Sequence, residues 1–200
     1  MFRFLKDRTH RKKQAAQMYQ AAVAQSRQPY FYAELGVPDS VDGRFEMMTL
    51  HCGILVYRLK NDGKTKLSQA LFDAMFKSMD PMLREMGVGD LSVPKHMKRM
   101  MQGFNGRIIN YTQALQNNGK NELEGALMRN VYGTLKEDQV NEENVSALVD
   151  YVIESSQLDA DQTNYAELPH SESGLADGAD KSESGLPDGA QKQGANNVAA

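Results

Sequence analysis

The chain reads as an all-α protein: a single helical domain of about five to seven helices, preceded by a basic N-terminal helix and followed by an acidic tail. Three observations carry this. Apolar residues recur at intervals of three and four, and no segment sustains the period-2 alternation of a strand. Asn, Gly and Pro stand between the periodic segments, where helices begin and end. Charge and composition also divide the chain. Residues 1–28 carry seven Lys/Arg against Asp7 alone, residues 29–153 fourteen against sixteen acidic, and residues 154–200 two against nine.

The elements follow in order. Residues 1–28 form a basic arm in which Arg11–Ser26 is rich in the helix formers Ala, Gln and Lys. Its start differs: Phe2, Phe4 and Leu5 alternate with Arg3, Lys6 and Arg8. That pattern suits an anionic surface, lipid or RNA, and suits equally a helix start whose Phe residues dock on the body. From Asp42, the positions Phe45, Met48, Cys52, Leu55 and Leu59 make one helical stripe, stopped by Asn61-Asp62-Gly63. From Leu67 the set Leu71, Ala74, Met75, Met79, Met82, Leu83 and Met86 is again helical, and Gly87 and Gly89 end it. Asp80-Pro81 inside it reads either as the start of a new helix or as a kink.

Pro94 suits a first helical turn, and Met97, Met101, Phe104, Ile108, Tyr111 and Leu115 then line one face up to Asn117-Asn118-Gly119. Leu123, Leu127 and Val131 form a shorter pattern, as do Val145, Leu148, Val149, Val152 and Ile153. The latter opens on Glu142 and Glu143, carboxylates that suit a helix N-terminus. The body thus spans 29–155. Residues 156–200 read as a disordered acidic tail, in which SESGLADGA (171–179) recurs as SESGLPDGA (182–190). Such a stretch has too little apolar area to offset its ordering entropy.

Composition bounds the function. Of 200 residues 40% are hydrophobic, and Cys52 is the single cysteine, so neither a disulfide framework nor a cysteine zinc site is available. The longest apolar run, Cys52–Tyr57, is too short to span a bilayer, and the N-terminus lacks the apolar stretch of a secretory signal. A soluble protein of a reducing compartment is expected: cytoplasmic, peripheral at the inner membrane, or in the mitochondrial matrix if eukaryotic.

Catalytic chemistry is hard to assemble. His10, His51, His96 and His170 stand in unrelated settings, and HExxH, GxSxG and a P-loop are missing. Cys52 falls on a core stripe, where thiols are inert small hydrophobes. Adjacent helical residues point about 100° apart, so His51 and Cys52 do not converge on one ion. Haem or quinone binding through His51 with Met47 or Met48 is a minor alternative, and no cofactor is expected. The unusual feature is methionine: 12 in all, seven of them from Met75 to Met101. Met75, Met79, Met82 and Met86 share one helix face. Thioethers adapt to varied apolar partners, so the stripe either fills the core between two helices or lines a groove for an apolar client helix. Charges gather around the glycine turn: Arg84, Glu85, Asp90, Lys95, Lys98 and Arg99, with Arg107 further on. They read either as local caps and pairs, Arg84 with Asp90, or as a partner-binding patch.

These residues also carry a resemblance. Tyr30-Phe31-Tyr32-Ala33-Glu34-Leu35-Gly36-Val37-Pro38-Asp39, then Asp42-Gly43-Arg44-Phe45 with Leu50-His51, is similar to the opening of the ubiquinol–cytochrome c chaperone family. LSQALFDAMF (67–76), LREMGVGDLSVPKHMKRM (83–100) and Phe104-Asn105-Gly106-Arg107 resemble the same family, over roughly residues 30–155. The resemblance implies an all-helical, non-enzymatic factor that assists newly made cytochrome b, or another hydrophobic membrane-protein client, into ubiquinol–cytochrome c reductase. Its mitochondrial members work with a small partner subunit and contact the ribosome. For this chain it implies a candidate interaction surface at Arg44, Arg84, Glu85, Asp90, Lys95 and Arg107, beside the methionines. The competing expectation is a ribosome- or RNA-associated module that uses the basic arm, with peripheral contact to an anionic membrane as a related use.

Overall fold

The structure, a computed structural model, describes residues 2–158. In chain order it comprises α1 (Phe2–Ser26), α2 (Pro29–Ala33), α3 (Val41–Asn61), α4 (Thr65–Glu85), α5 (Val93–Gln116), α6 (Lys120–Asn130), a 3-10 turn at Glu137–Gln139 and α7 (Glu142–Gln157). No strand occurs among the described residues, so the all-α class expected from the periodicity holds. The duplicated nonamer and most of the expected acidic tail lie outside the described residues.

α3 is the axis of the body, packed against α1, α4, α5 and α7. The sequence shows one stripe on it, and the structure buries two faces. Cys52, Leu55, Val56 and Leu59 enter a core shared with α1, α4 and the middle of α5. Met47, Leu50 and Ile54 enter a second core built with α2, α6, α7 and the end of α5. A helix covered nearly all round is the mark of a central position. Phe45 and Met48 are half-buried at the edge of the first core.

Local chemistry fixes the ends. The Ser40 hydroxyl accepts from the Gly43 N–H at 3.1 Å, capping the start of α3. Position 43 must be glycine for a packing reason: a Cβ there would stand 2.0 Å from the Pro38 carbonyl oxygen. At the other end Gly63 (φ +70°) takes the left-handed conformation. The Lys64 N–H then reaches back to the Leu59 carbonyl at 2.8 Å, a Schellman closure. Asn141 caps α7 by accepting from the Glu143 N–H at 2.8 Å.

α4 runs unbroken through Pro81. Asp80-Pro81 therefore starts no new helix, and the proline simply lacks the bond to the Lys77 carbonyl. Leu67, Leu71, Met75, Met79 and Leu83 form its buried row, four residues apart. Gly87 (φ +85°) closes it as Gly63 closes α3, with the Val88 N–H on the Leu83 carbonyl at 3.0 Å.

Two elements go beyond the sequence reading. The helix of the N-terminal arm begins at Phe2, ahead of Arg11, and from Ala15 onward it belongs to the body: Ala15, Met18, Ala22, Gln25 and Ser26 are buried. The short α2 and the Leu35-Gly36-Val37 segment insert Phe31, Leu35 and Val37 into the second core, and the Tyr132 hydroxyl donates to the Leu35 carbonyl at 2.9 Å.

Candidate client and partner surface

The methionine stripe keeps one face along α4 but does not keep one environment. At 100° per residue, Met75, Met79, Met82 and Met86 fall within a sector of about 60°. Met75 and Met79 are fully buried in the first core, yet Met82 is 40% exposed and Met86 61%. The buried face of α4 thus continues past the helices that cover it. Core filling accounts for half of the stripe, and the last turns of α4 present the other half bare. Beyond the Gly87 turn, Leu91 is 98% exposed. Leu83 and Val93, which flank this α4–α5 turn in the chain, are both buried, and Met97, Met100 and Met101 of α5 pack half-buried against the first core.

Charge frames the bare apolar end. Arg84 donates to Asp80 at 2.8 Å and also pairs with Asp90 across the turn, the local pairing that the sequence offers as one reading. Both pairs are well exposed, so they shape the turn more than they stabilise it. Glu85 and Lys95 are exposed there too, with Lys98 and Arg99 on the first turns of α5. Among the described residues none of those three cations makes an ion pair.

Arg44 and Arg107 are placed otherwise. Arg44 is engaged with Asp39 at the start of α3, in an exposed pair. Arg107 makes a two-pronged contact with Glu46 across the α3–α5 interface, its Nε donating to Oε2 at 2.6 Å. Burial pushes the Glu46 carboxyl above its ordinary pKa, and the Arg107 guanidinium opposes that. Arg84, Glu85, Asp90 and Lys95 gather at one turn, whereas Arg107 is committed to holding two helices together. Leu91 was missed by the sequence reading; its signal is a lone large apolar residue within Gly89-Asp90-Leu91-Ser92.

The His51–Cys52 pair is internal. His51 is fully buried with both ring nitrogens engaged: Nδ1–H donates to the Met47 carbonyl at 2.7 Å, and Nε2 accepts from the Tyr151 hydroxyl at 2.9 Å. No ring lone pair is left for iron, which removes the haem reading through His51. Cys52 is buried, which pushes its thiol up to about 12, far from a reactive thiolate. Among the described residues no group of His, Cys, Asp and Glu is placed to hold a metal ion, and no helix is long and apolar enough to cross a membrane.

Comparison with known proteins shows the fold and the family. The crystal structure of the Cbp3 homolog from Brucella abortus superposes with a TM-score of 0.68 at 30% identity, covering 84% of this chain and 94% of that one. The ubiquinol–cytochrome c reductase complex assembly factor 1 of Mus musculus is 25% identical over 140 residues, which is 69% of this chain and 46% of the mouse protein. The chain thus spans less than half the length of that curated relative. The model of the ubiquinol–cytochrome c chaperone family matches residues 33–166, from the end of α2 through α7, and the chain belongs to that family.

Proposed function

We propose that this protein is an assembly chaperone of ubiquinol–cytochrome c reductase, holding a hydrophobic segment of newly made cytochrome b against the bare end of α4. The observation that carries the reading is the continuation of the buried α4 face into open solvent at Met82 and Met86, with Leu91 across the turn. A helical client segment could complete the packing that the rest of the stripe receives from this chain. Unbranched thioethers tolerate varied side chains there, as transient holding requires. The cationic rim of Lys95, Lys98 and Arg99 suits the phosphate headgroups that border a membrane-protein segment. The role is binding rather than catalysis, exercised from the cytoplasmic side of the inner membrane. Family membership and the mouse relative's name support the choice of enzyme complex.

The test is genetic and biochemical together. Deleting the gene lowers assembled reductase while its transcripts stay unchanged, and the wild-type gene restores it. The triple change Met82→Gln, Met86→Gln and Leu91→Gln, all at exposed positions, keeps the melting temperature but fails to restore the complex. Normal reductase in the deletion strain, or full rescue by the folded triple variant, overturns the reading.

A second reading, a ribosome- or RNA-associated module using the basic N-terminal arm, is favoured by the exposed Lys6, Arg8, Lys12 and Lys13 of α1 and by the unpaired cations on the first turns of α5. Co-sedimentation with ribosomes that fails at every salt concentration removes it.

A further inference from the structure

A groove of about 570 Å³ runs between α1 and the first turns of α4. Arg8, Arg11 and Lys12 line it from α1, and Lys66 and Lys77 from α4. Lys66 and Lys77 are three turns apart on one helix face, about 16 Å along the axis. Ala16, Ala70 and Ala74 also line it, and their small side chains leave the space that the cationic stems enclose. One acid contributes, Asp73, whose carboxylate accepts from Gln69 at 2.8 Å. Among the described residues none of the five cations forms an ion pair.

Five like charges facing one another across a cleft repel, and they raise the local concentration of anions. We propose that this groove binds the phosphodiester headgroups of anionic phospholipids and docks the chain on a bilayer surface. Two observations favour a membrane over RNA. None of the groove's lining residues is aromatic, so it offers no platform on which unpaired bases could stack. Ahead of the groove, α1 begins Phe2-Arg3-Phe4-Leu5-Lys6, the mixture of large apolar and cationic residues that suits a helix lying in the membrane interface. The groove stands apart from Met82, Met86 and Leu91, so this inference does not depend on the client reading.

The test is vesicle flotation of the full chain. Vesicles of phosphatidylcholine containing phosphatidylglycerol carry the protein upward, and vesicles of phosphatidylcholine alone do not. The double variant Lys66→Glu/Lys77→Glu binds the anionic vesicles roughly 30-fold or more weakly, with its melting temperature unchanged. Lys60→Glu/Lys136→Glu, with the same change of net charge outside the groove, floats like the wild type. Inorganic phosphate at vesicle-matched concentration leaves flotation intact. The proposal is overturned by equal binding to neutral vesicles, or by undiminished flotation of the groove variant. It is likewise overturned if inorganic phosphate displaces the vesicles, which makes the groove a site for free phosphate. Loss of poly(U) binding in the groove variant with flotation retained assigns it to RNA instead. The Met82/Met86/Leu91 variant floats normally, which separates failure here from failure of the client reading.

Discussion

The Tyr151 hydroxyl donates a hydrogen bond to Nε2 of His51 at 2.9 Å, and this contact joins α7 to α3 at the centre of the fold. Because Nδ1 of His51 faces the Met47 carbonyl, which can only accept, the proton must sit on Nδ1 and the lone pair on Nε2. Gln25 of α1 donates to the same Tyr151 oxygen at 3.3 Å, and Phe31 of α2 packs edge-on against both rings. Four helices therefore meet at one neutral histidine. A second proton on Nε2 would make the Tyr151 hydroxyl give up its donation and would place an unpaired charge in the core.

Stability should consequently fall with acid. Burial lowers the His51 pKa from 6.5 to about 4, so between those values the unfolded chain takes up a proton that the folded chain refuses. The contribution is complete above pH 6.5 and is lost as pH falls toward 4, about 3 kcal/mol in all. Glu46, with its pKa raised, works in the opposite sense and gains stability on acidification. Urea midpoints measured from about pH 7 down to about pH 4.5 should drop for the wild type and drop less for His51→Gln. An equal slope in the two proteins would refute the assignment.

Gly43→Ala should be more damaging than any glycine-to-alanine change at an open helical site, where alanine usually helps. The obstacle is the Pro38 carbonyl, a backbone atom that no rotamer change can move aside. Relief requires the Leu35–Pro38 segment to shift away from the second core, so a loss of about 2 kcal/mol or more is expected. Gly106→Ala, where an added Cβ meets nothing within 4 Å, serves as the control and should be neutral or stabilising. Thermal melts of the two variants check both statements.

How far the sequence could be read depends on what each residue touches. Gly63 and Gly87 were legible as helix stops because left-handed backbone is a local demand that glycine alone meets cheaply. The stripe on α3 was legible only in part, since a central helix buries a second face and periodicity then loses contrast. The role of Gly43 was invisible, because the Pro38 carbonyl that excludes a side chain is placed by the fold and not by the motif around it. Arg107 shows the same limit at the candidate site. Its charge marked it for a partner, and only the apposition of α3 and α5 reveals Glu46 as that partner. The exposure of Met82 and Met86 likewise depends on where α4 outruns its neighbours, which no property of the two methionines encodes.

The two arginines first grouped together should separate on mutation. Arg107→Ala strands Glu46, whose side chain is only 10% exposed, and should cost about 2–4 kcal/mol, less than a fully dry pair because Arg107 itself keeps 25% exposure. The double change Glu46→Gln/Arg107→Ala should recover part of that loss by removing the stranded charge. Arg44→Ala breaks an exposed pair with Asp39 and should leave the melting temperature unchanged. Denaturant titrations of the three variants distinguish an internal tie from a surface pair.

Removing Met1 to Lys13 tests where the arm ends and the core begins. Six of those thirteen residues are Lys or Arg, and Lys6, Arg8, Lys12 and Lys13 are exposed. Among the described residues the buried side of α1 starts at Ala15 and continues through Met18 and Ala22. The truncated chain should therefore retain its melting temperature within a degree or two, since none of the removed side chains that the structure describes, Lys6 to Lys13, is buried. Its affinity for anionic vesicles should fall steeply, because each basic residue near such a surface contributes about 1 kcal/mol at moderate salt. A truncation ending after Ala22 instead removes the Ala15, Met18 and Ala22 contacts with α3 and α4 and should unfold the first core cooperatively. Comparing the two deletions by thermal melt and flotation locates the boundary. A drop of several degrees in the shorter deletion would mean that packing of the body begins before Ala15.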